Sequence, residues 1–554
     1  MVTAMTTFLK TAKYLCPALL LILAALALCA CSPAGAGQQE PQPDTAAAAG
    51  RILTVVESEP DTVDFQCTSI YYSVALNVFD RLVEIGMDHD GNVRIVPALA
   101  ESWEVSDDGC RYTFHLREGV TFSNGSPLTS SDVLYTFTRL LTHPDACNQD
   151  IVKETAGAPQ LESGETDCLE GFTVLNDRDF VITLAQPFEA FLSCLAMPAA
   201  SILDRETMEA IGEDFGTDPA CTIGTGPFVL RSWEPGWGME FTVNPIYWAG
   251  LPSSDGMAFR FITEAEAERM MFENGELDIL DLDDLGDSAE YFIHGDIYQD
   301  RLCEARQIGI TYIALNESVK PLDDVRVRKA LQLSLDRQML LDAIYSGRGS
   351  LENGIFPRGL KGYNPDLPEI PYDPAEAVRL LAEAGYPDGF DLTIGVKSSS
   401  TQWEKKMMTM AASMWSKIGV RATVDVMDES EFMALRKSGA LACYTASWDA
   451  DYNDPDNFIY TFFGNRENTR FRSLCYPKED VMQRVRQARS ITDEQARLEE
   501  YQALERTIVQ EDAAWIPLFS REHYYVAGER IDWIPLSWNG WVSTRYRDVA
   551  VNGA

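Results

Sequence analysis

The chain has 554 residues, 46% hydrophobic and 23% charged, which is ordinary globular composition. A length well beyond ~300 residues calls for more than one hydrophobic core, so at least two lobes are expected. The net charge of −40 argues against nucleic acid or an anionic membrane as a charge-driven partner and favours cationic ligands at long range.

In chain order, the first element is not part of the fold. Lys10 and Lys13 precede an apolar run from Leu15 to Ala30, shorter than the ~20 residues of a membrane span, so residues 1–30 read as a signal segment. The run ends in Leu28-Cys29-Ala30-Cys31, which resembles a bacterial lipobox and makes Cys31 the lipid-bearing first residue of the mature chain. Residues 32–50 are small, polar and proline-bearing, and with Cys31 form a flexible tether over 31–50. Of twelve cysteines, nine lie beyond Cys31. No CxxC or Cys/His spacing supports a zinc site. Export permits disulfides, an odd count leaves at least one thiol over, and sequence proximity suggests Cys147 with Cys168.

Residues 51–58 form a first strand by pattern, and 109–116 alternate as another after the turn Asp107-Asp108-Gly109. "FVITLA" and "MEFTVN" add to a strand-rich first half. In Gly224-Thr225-Gly226-Pro227 the glycines are expected to supply positive φ in a structural turn. The second half mixes helices and strands. Asp373-Pro374-Ala375-Glu376 starts a helix that Gly385 stops. The strand "FDLTIGV" follows, then a helix whose Trp403, Met407, Met410, Ala411, Met414 and Ile418 form a core stripe, then an alternating strand from Val420 to Val426. Strand, long crossover and strand imply parallel pairing in an α/β lobe. "DAAWIPLFSREHYYVA" reads as a late strand in which Pro517 marks a loop or an edge.

Several stretches resemble the family 5 extracellular solute-binding proteins of ABC transporters. They are Val96–Leu140, "IGTGPFVL", "NPIYW", "ENGELDI", "LDDVRVRKAL" and "EDAAWIPLF", in the family's order over about residues 51 to 520. The resemblance implies an α/β, two-lobed periplasmic-binding-protein type II fold with an extra subdomain in lobe one. Its expected boundaries are lobe one over 51–305 with the inserted subdomain at about 80–215, lobe two over 306–520, and a return to lobe one over 521–554. Hinge closure around a ligand, a monomeric state and docking on permease subunits are implied with it.

The stretch "SWDADYNDPDNF", Ser447 to Phe458, is the most concentrated candidate site. Asp449, Asp451 and Asn453 fit positions 1, 3 and 5 of a calcium loop, but Asp454 stands where glycine is needed and Tyr460 where a bidentate glutamate is needed. A carboxylate pair for catalysis lacks partners: none of the five histidines is near, and neither G-x-S-x-G nor H-E-x-x-H is present. Trp448-x-Ala450-Asp451-Tyr452-Asn453 resembles the segment in which peptide-binding members present an aspartate to the ligand's α-ammonium, a role this places on Asp451. Trp448 and Tyr452 supply an apolar, cation-attracting wall, and Asp454-Pro455-Asp456 reads as the positioning turn. Some dipeptide-binding relatives hold the ligand carboxylate with an arginine after the strand matching "FDLTIGV". This chain has none there, and Lys397, Ser399 and Ser400 are the polar candidates. Longer peptides therefore fit better than free dipeptides. Tyr71, Tyr72 and Ser69 follow the first strand where the family's cleft begins.

The resulting expectation is a non-enzymatic, lipid-anchored binding protein on the extracytoplasmic face. It has no cofactor, metal or nucleic-acid partner, and delivers oligopeptides to an ABC importer. The alternatives are another solute on the same fold, such as chelated nickel or an oligosaccharide, and a secreted hydrolase using the acidic cluster.

Overall fold

The computed structural model describes residues 51–68, 71–87, 93–212, 215–534 and 545–552. The signal segment, Cys31, the tether and Ser69 lie outside the described residues. No helix among the described residues is long and apolar enough to cross a membrane.

The first strand, Ile52–Val56, pairs in parallel with Gly256–Arg260 and opens a four-stranded sheet completed by Gly238–Val243 and Phe228–Glu234. Ala100–Val105, Arg111–Leu116, Asp179–Thr183 and Phe172–Val174 form a second, antiparallel sheet. Its first turn is the expected one: Gly109 takes φ 69°, and its N–H donates to the Ser106 carbonyl. Both sheets pack into one core with Phe65, Tyr72, Phe79, Phe114 and Phe137. Ile531, Tyr546, Val549 and Val551 come back from the C-terminus to join that core.

An eight-stranded mixed sheet organises the rest. The strand Gly309–Leu315 is buried at every position, because both faces are covered. Ile310, Tyr312 and Ala314 enter one core with Phe458, Phe462 and Trp515, whereas Ile313 and Leu315 enter the other with Met407, Met414 and Trp415. The methionine and tryptophan stripe is thus core, as its spacing predicts. Asp391–Lys397 and Arg421–Met427 pair in parallel around the helix Gln402–Ser416. Asp373 caps the helix Pro374–Glu383 by accepting the Glu376 N–H at 2.9 Å.

The long strand Trp515–Ala527 serves two neighbourhoods. Its first half pairs with Gly309–Leu315 and Gly349–Leu351, and its second half with Leu302–Arg306 and Ile279–Asp281. Pro517 is not at a loop or an edge, as the sequence suggests, but inside this strand. It sits opposite Tyr312 where the register shifts, and an irregularity there spares the ladder the donor that proline lacks. The Gly224–Gly226 motif also differs from expectation. Neither glycine needs positive φ; both are needed for close approach, since a Cβ on Gly224 would lie 2.0 Å from the Val78 carbonyl oxygen and one on Gly226 2.5 Å from the Val78 carbonyl carbon. The suggested Cys147–Cys168 bridge is absent, and no disulfide joins the nine described cysteines.

Candidate functional site

The strand Cys443–Asp449 pairs antiparallel with Gly309–Leu315 along its whole length, setting Trp448 opposite Ile310 and Asp449 opposite Gly309. Glycine is required at 309, because a Cβ would lie 1.9 Å from Asp449 Oδ1. Asp449 thereby reaches across the ladder and lines a polar crevice with Gln307, Thr311, Ser447 and Arg521. Burial pushes its carboxyl above the usual range, while Arg521 and His523 pull it down.

Asp451 lies just beyond the strand end and is half-buried. Asn457, in the first turn of the helix Pro455–Phe463, holds it twice: the amide Nδ2 donates to Asp451 Oδ2 at 3.0 Å, and Asn457 Oδ1 accepts the Asp451 N–H at 3.1 Å. Oδ1 of Asp451 accepts no hydrogen bond among the described residues. Burial pushes this carboxyl up to about 6; the Asn457 bond and Arg472 pull it down, Asp449 and Asp150 push it further up. From the N-terminal part of the chain comes Tyr72, whose hydroxyl donates to the Thr68 carbonyl at 3.1 Å and accepts from Asn148 Nδ2 at 2.8 Å. Burial, then the charge of Asp451, hold the Tyr72 phenol above its ordinary value. Tyr72 and Asp150 on one side thus lie within electrostatic reach of Asp451 on the other.

Trp448 is half-buried and meets Phe462 edge-on, with centroids 5.3 Å apart. Its indole Nε1–H is buried with no acceptor among the described residues. Tyr452 packs against the core of the N-terminal part and donates to Asp456 Oδ2 at 3.2 Å. Tyr71 is exposed. Lys397 and Ser399 are both engaged by one acid: Lys397 Nζ lies 3.7 Å from Glu429, and the Ser399 hydroxyl donates to it at 2.8 Å.

Asp454 and Asp456 do more than the positioning turn expected of them. Asp454 caps the helix Pro455–Phe463 by accepting the Asp456 N–H, and takes Arg497 Nη2 on both oxygens at 2.6 and 2.5 Å. Asp456 accepts from Arg489 at 2.9 Å and from the Tyr501 hydroxyl at 3.1 Å. Arg489 then reaches the N-terminal part, donating to Glu154 at 2.7 Å with its guanidinium 4.5 Å from the Phe188 ring centroid. Burial pulls Arg489 down, but Asp456 and Glu154 hold it above its ordinary value. These two acids are already neutralised and leave no carboxylate cage for a cation.

A separate trio, Asp64, Cys67 and His143, brings its ligand atoms within 4.8 Å of one another. Asp64, however, meets Arg139 with both oxygens, at 2.5 and 3.2 Å. Burial and Asp64 push the Cys67 thiol up to about 12, so it stays protonated. A cation here would have to displace Arg139.

Comparison with known proteins shows what the chain as a whole is similar to. The model of bacterial extracellular solute-binding proteins, family 5 Middle, matches residues 94–470. The dipeptide-binding protein of Escherichia coli K12 is 30% identical over 82% of this chain and 87% of its own length. Heme-binding protein A of Haemophilus influenzae is 29% identical over 81% of this chain and 82% of its own. Among solved structures, the Helicobacter pylori periplasmic binding protein DppA in complex with the peptide STSA superposes with a TM-score of 0.74. It is 23% identical, over 91% of this chain and 98% of that one. These matches fix the two-lobed α/β fold.

Proposed function

The chain belongs to the bacterial extracellular solute-binding proteins of family 5, and from that premise we propose that it is a lipid-anchored, extracytoplasmic receptor that delivers peptides to an ABC importer. The observation that carries the cargo reading is Asp451: a half-buried carboxylate, oriented by Asn457, with one oxygen that has no donor among the described residues. Such a group is poorly stabilised until a cation arrives, and a peptide's α-ammonium supplies both the charge and the donors. In this reading Trp448 and Tyr452 wall that position, Tyr71 and Tyr72 belong to the facing side of the cleft, and Lys397 and Ser399, which Glu429 engages in the ligand-free protein, would give only secondary polar contacts. Peptide-binding relatives support this reading. A heme-binding relative keeps a second cargo in view.

The role of the site is to bind, and closure of the lobes around the ligand presents it to the permease. Isothermal titration calorimetry with a defined peptide pool tests the cargo. The parent is expected to bind, and Asp451→Asn to lose about 100-fold or more in affinity, from the ~3–5 kcal/mol cost of breaking a buried pair. Equal affinity in the variant rules out the ammonium contact. Labelling with radioactive palmitate and loss of the label in Cys31→Ala test the anchor.

A further inference from the structure

Sequence proximity suggests Cys168 for Cys147, but folding brings Cys67 to its side. Cys147 follows the helix Ser130–Thr142. Its N–H donates to the Gln66 carbonyl at 2.9 Å, and Asn148 Nδ2 donates to the Thr68 carbonyl at 2.9 Å. The two bonds fall on either side of Cys67, so residues 147 and 148 run against residues 66–68 with Cys147 next to Cys67. Backbones joined in this way lie roughly 5 Å apart, inside the ~4.4–6.8 Å that a disulfide spans between Cα atoms. His143 stands by both thiols. Its Nδ1 lies 3.4 Å from Cys67 Sγ and accepts the Asp145 N–H at 3.3 Å, and Cys147 Sγ lies 3.5 Å from the Asp145 carbonyl oxygen. Cys67 is half-buried and Cys147 is exposed.

The surroundings disfavour the thiolates and leave a disulfide untouched. Cys67 Sγ donates to Asp64 Oδ2 at 3.2 Å, and burial followed by Asp64 pushes that thiol up. Burial, then Asp145, Asp61 and Asp64, push Cys147 up as well. Carboxylates that destabilise a thiolate carry no such penalty for a neutral disulfide, and a thiol of high pKa is a poor leaving group. A bridge in this place closes slowly and resists reduction.

We propose that Cys67 and Cys147 are joined by a disulfide, formed by thiol–disulfide exchange with an external disulfide of the oxidising setting that the extracytoplasmic reading above supplies. Exposed Cys147 loses its proton to solvent and attacks one sulfur of the donor, whose first thiolate leaves and is protonated. Cys67 then gives its proton to His143 Nδ1 and attacks Cys147 Sγ, and the second donor sulfur leaves with that proton. Two protein thiols are oxidised to one disulfide, and one donor disulfide is reduced to two thiols. The bridge ties the segment before Tyr72 to the segment that carries Asn148 and Asp150. Asn148 already donates to the Tyr72 hydroxyl at 2.8 Å, so the covalent bond fixes the side of the cleft whose charges reach Asp451.

Peptide mapping by mass spectrometry tests this on the purified protein, equilibrated with reduced and oxidised glutathione and alkylated after denaturation. The expected product is a Cys67–Cys147 peptide two hydrogens lighter than its two thiol parts. Cys67→Ser is expected to leave glutathione on Cys147, because no second thiol resolves it, and Cys147→Ser to leave Cys67 alkylated. His143→Ala is expected to slow closure about tenfold with the final extent unchanged; an unchanged rate removes His143 from the step. With the bridge closed, the melting midpoint is expected to lie about 2–5 degrees above that of the reduced protein. Two alkylated thiols in the parent, glutathione stalled on its Cys147, or a Cys147–Cys168 peptide overturns the pairing, and the parent alone decides it if a variant does not fold. In intact cells treated with a reductant, failure of a membrane-impermeant maleimide to reach Cys147 overturns the extracytoplasmic reading and leaves the pairing standing.

Discussion

Asp451 and Asp454 lie three residues apart, yet the fold treats them in opposite ways. Asp454 is buried, caps a helix and meets Arg497, itself only 1% exposed in its side chain. Asp451 is held by an amide, has a free oxygen and carries a carboxyl pushed up to about 6, chiefly by burial. The same division runs through the arginines: Arg489 and Arg497 are paired, and Arg472 has no ion pair among the described residues. Charge pairs completed within the protein hold the acidic segment in place. The charge left incomplete at Asp451 is the one the proposed ligand would complete.

That contrast makes graded predictions. The largest effect is expected from Asp454→Ala, which leaves Arg497 uncompensated and should cost about 3–5 kcal/mol of stability in denaturant unfolding. A loss below about 1 kcal/mol would remove the distinction between paired and unpaired acids. Asp451→Asn should do the reverse to the ligand-free protein. Because the folded carboxyl binds its proton more tightly than the unfolded one, with a normal value of 3.8, stability falls as pH rises from about 4 to about 6. Removing the charge relieves that penalty, and the melting midpoint at pH 7 should rise by one or two degrees; a fall would contradict the burial cost.

Binding carries the matching pH signature. An ammonium ligand requires ionised Asp451, so affinity should be flat above pH 6 and drop about tenfold per unit below it. Asp449, Asp150, Tyr72 and Arg472 surround the group and keep their roles in both states, so Asp451→Asn should flatten the profile. A profile unchanged in that variant would move the titration elsewhere. A smaller effect is expected at the contact between the two parts of the chain. Glu154→Gln leaves Arg489 its bond to Asp456 and should cost about 1 kcal/mol in unfolding, with the pH profile of binding intact. The smallest is Lys397→Ala, where Glu429 already engages the side chain; peptide affinity should change by less than about threefold. A larger loss would show that Lys397 leaves Glu429 to contact the ligand.

The sequence reads well wherever the physics is local. The Asp373 cap, the turn at Gly109, the alternating strands and the methionine stripe of Gln402–Ser416 each depend on neighbours within a few residues, and each is found. The parallel pairing of Asp391–Lys397 with Arg421–Met427 follows from a crossover long enough to hold a helix. Pro517 misleads because a register shift, invisible in the local pattern, admits it to a central strand. Gly224 and Gly226 mislead about cause, since what they avoid is the distant backbone of Val78.

By itself, then, the sequence determined the family, the fold class and the aspartate most worth testing, because motif order and short-range periodicity are written along the chain. Only the tertiary structure decided which charges are neutralised. Asp456 meets Arg489 across 33 residues and Asp454 meets Arg497 across 43, and Arg472 reaches the face of Trp448 without an ion pair among the described residues. Whether a buried charge is satisfied depends on what folding brings within a few ångströms, and no spacing in the sequence encodes that distance.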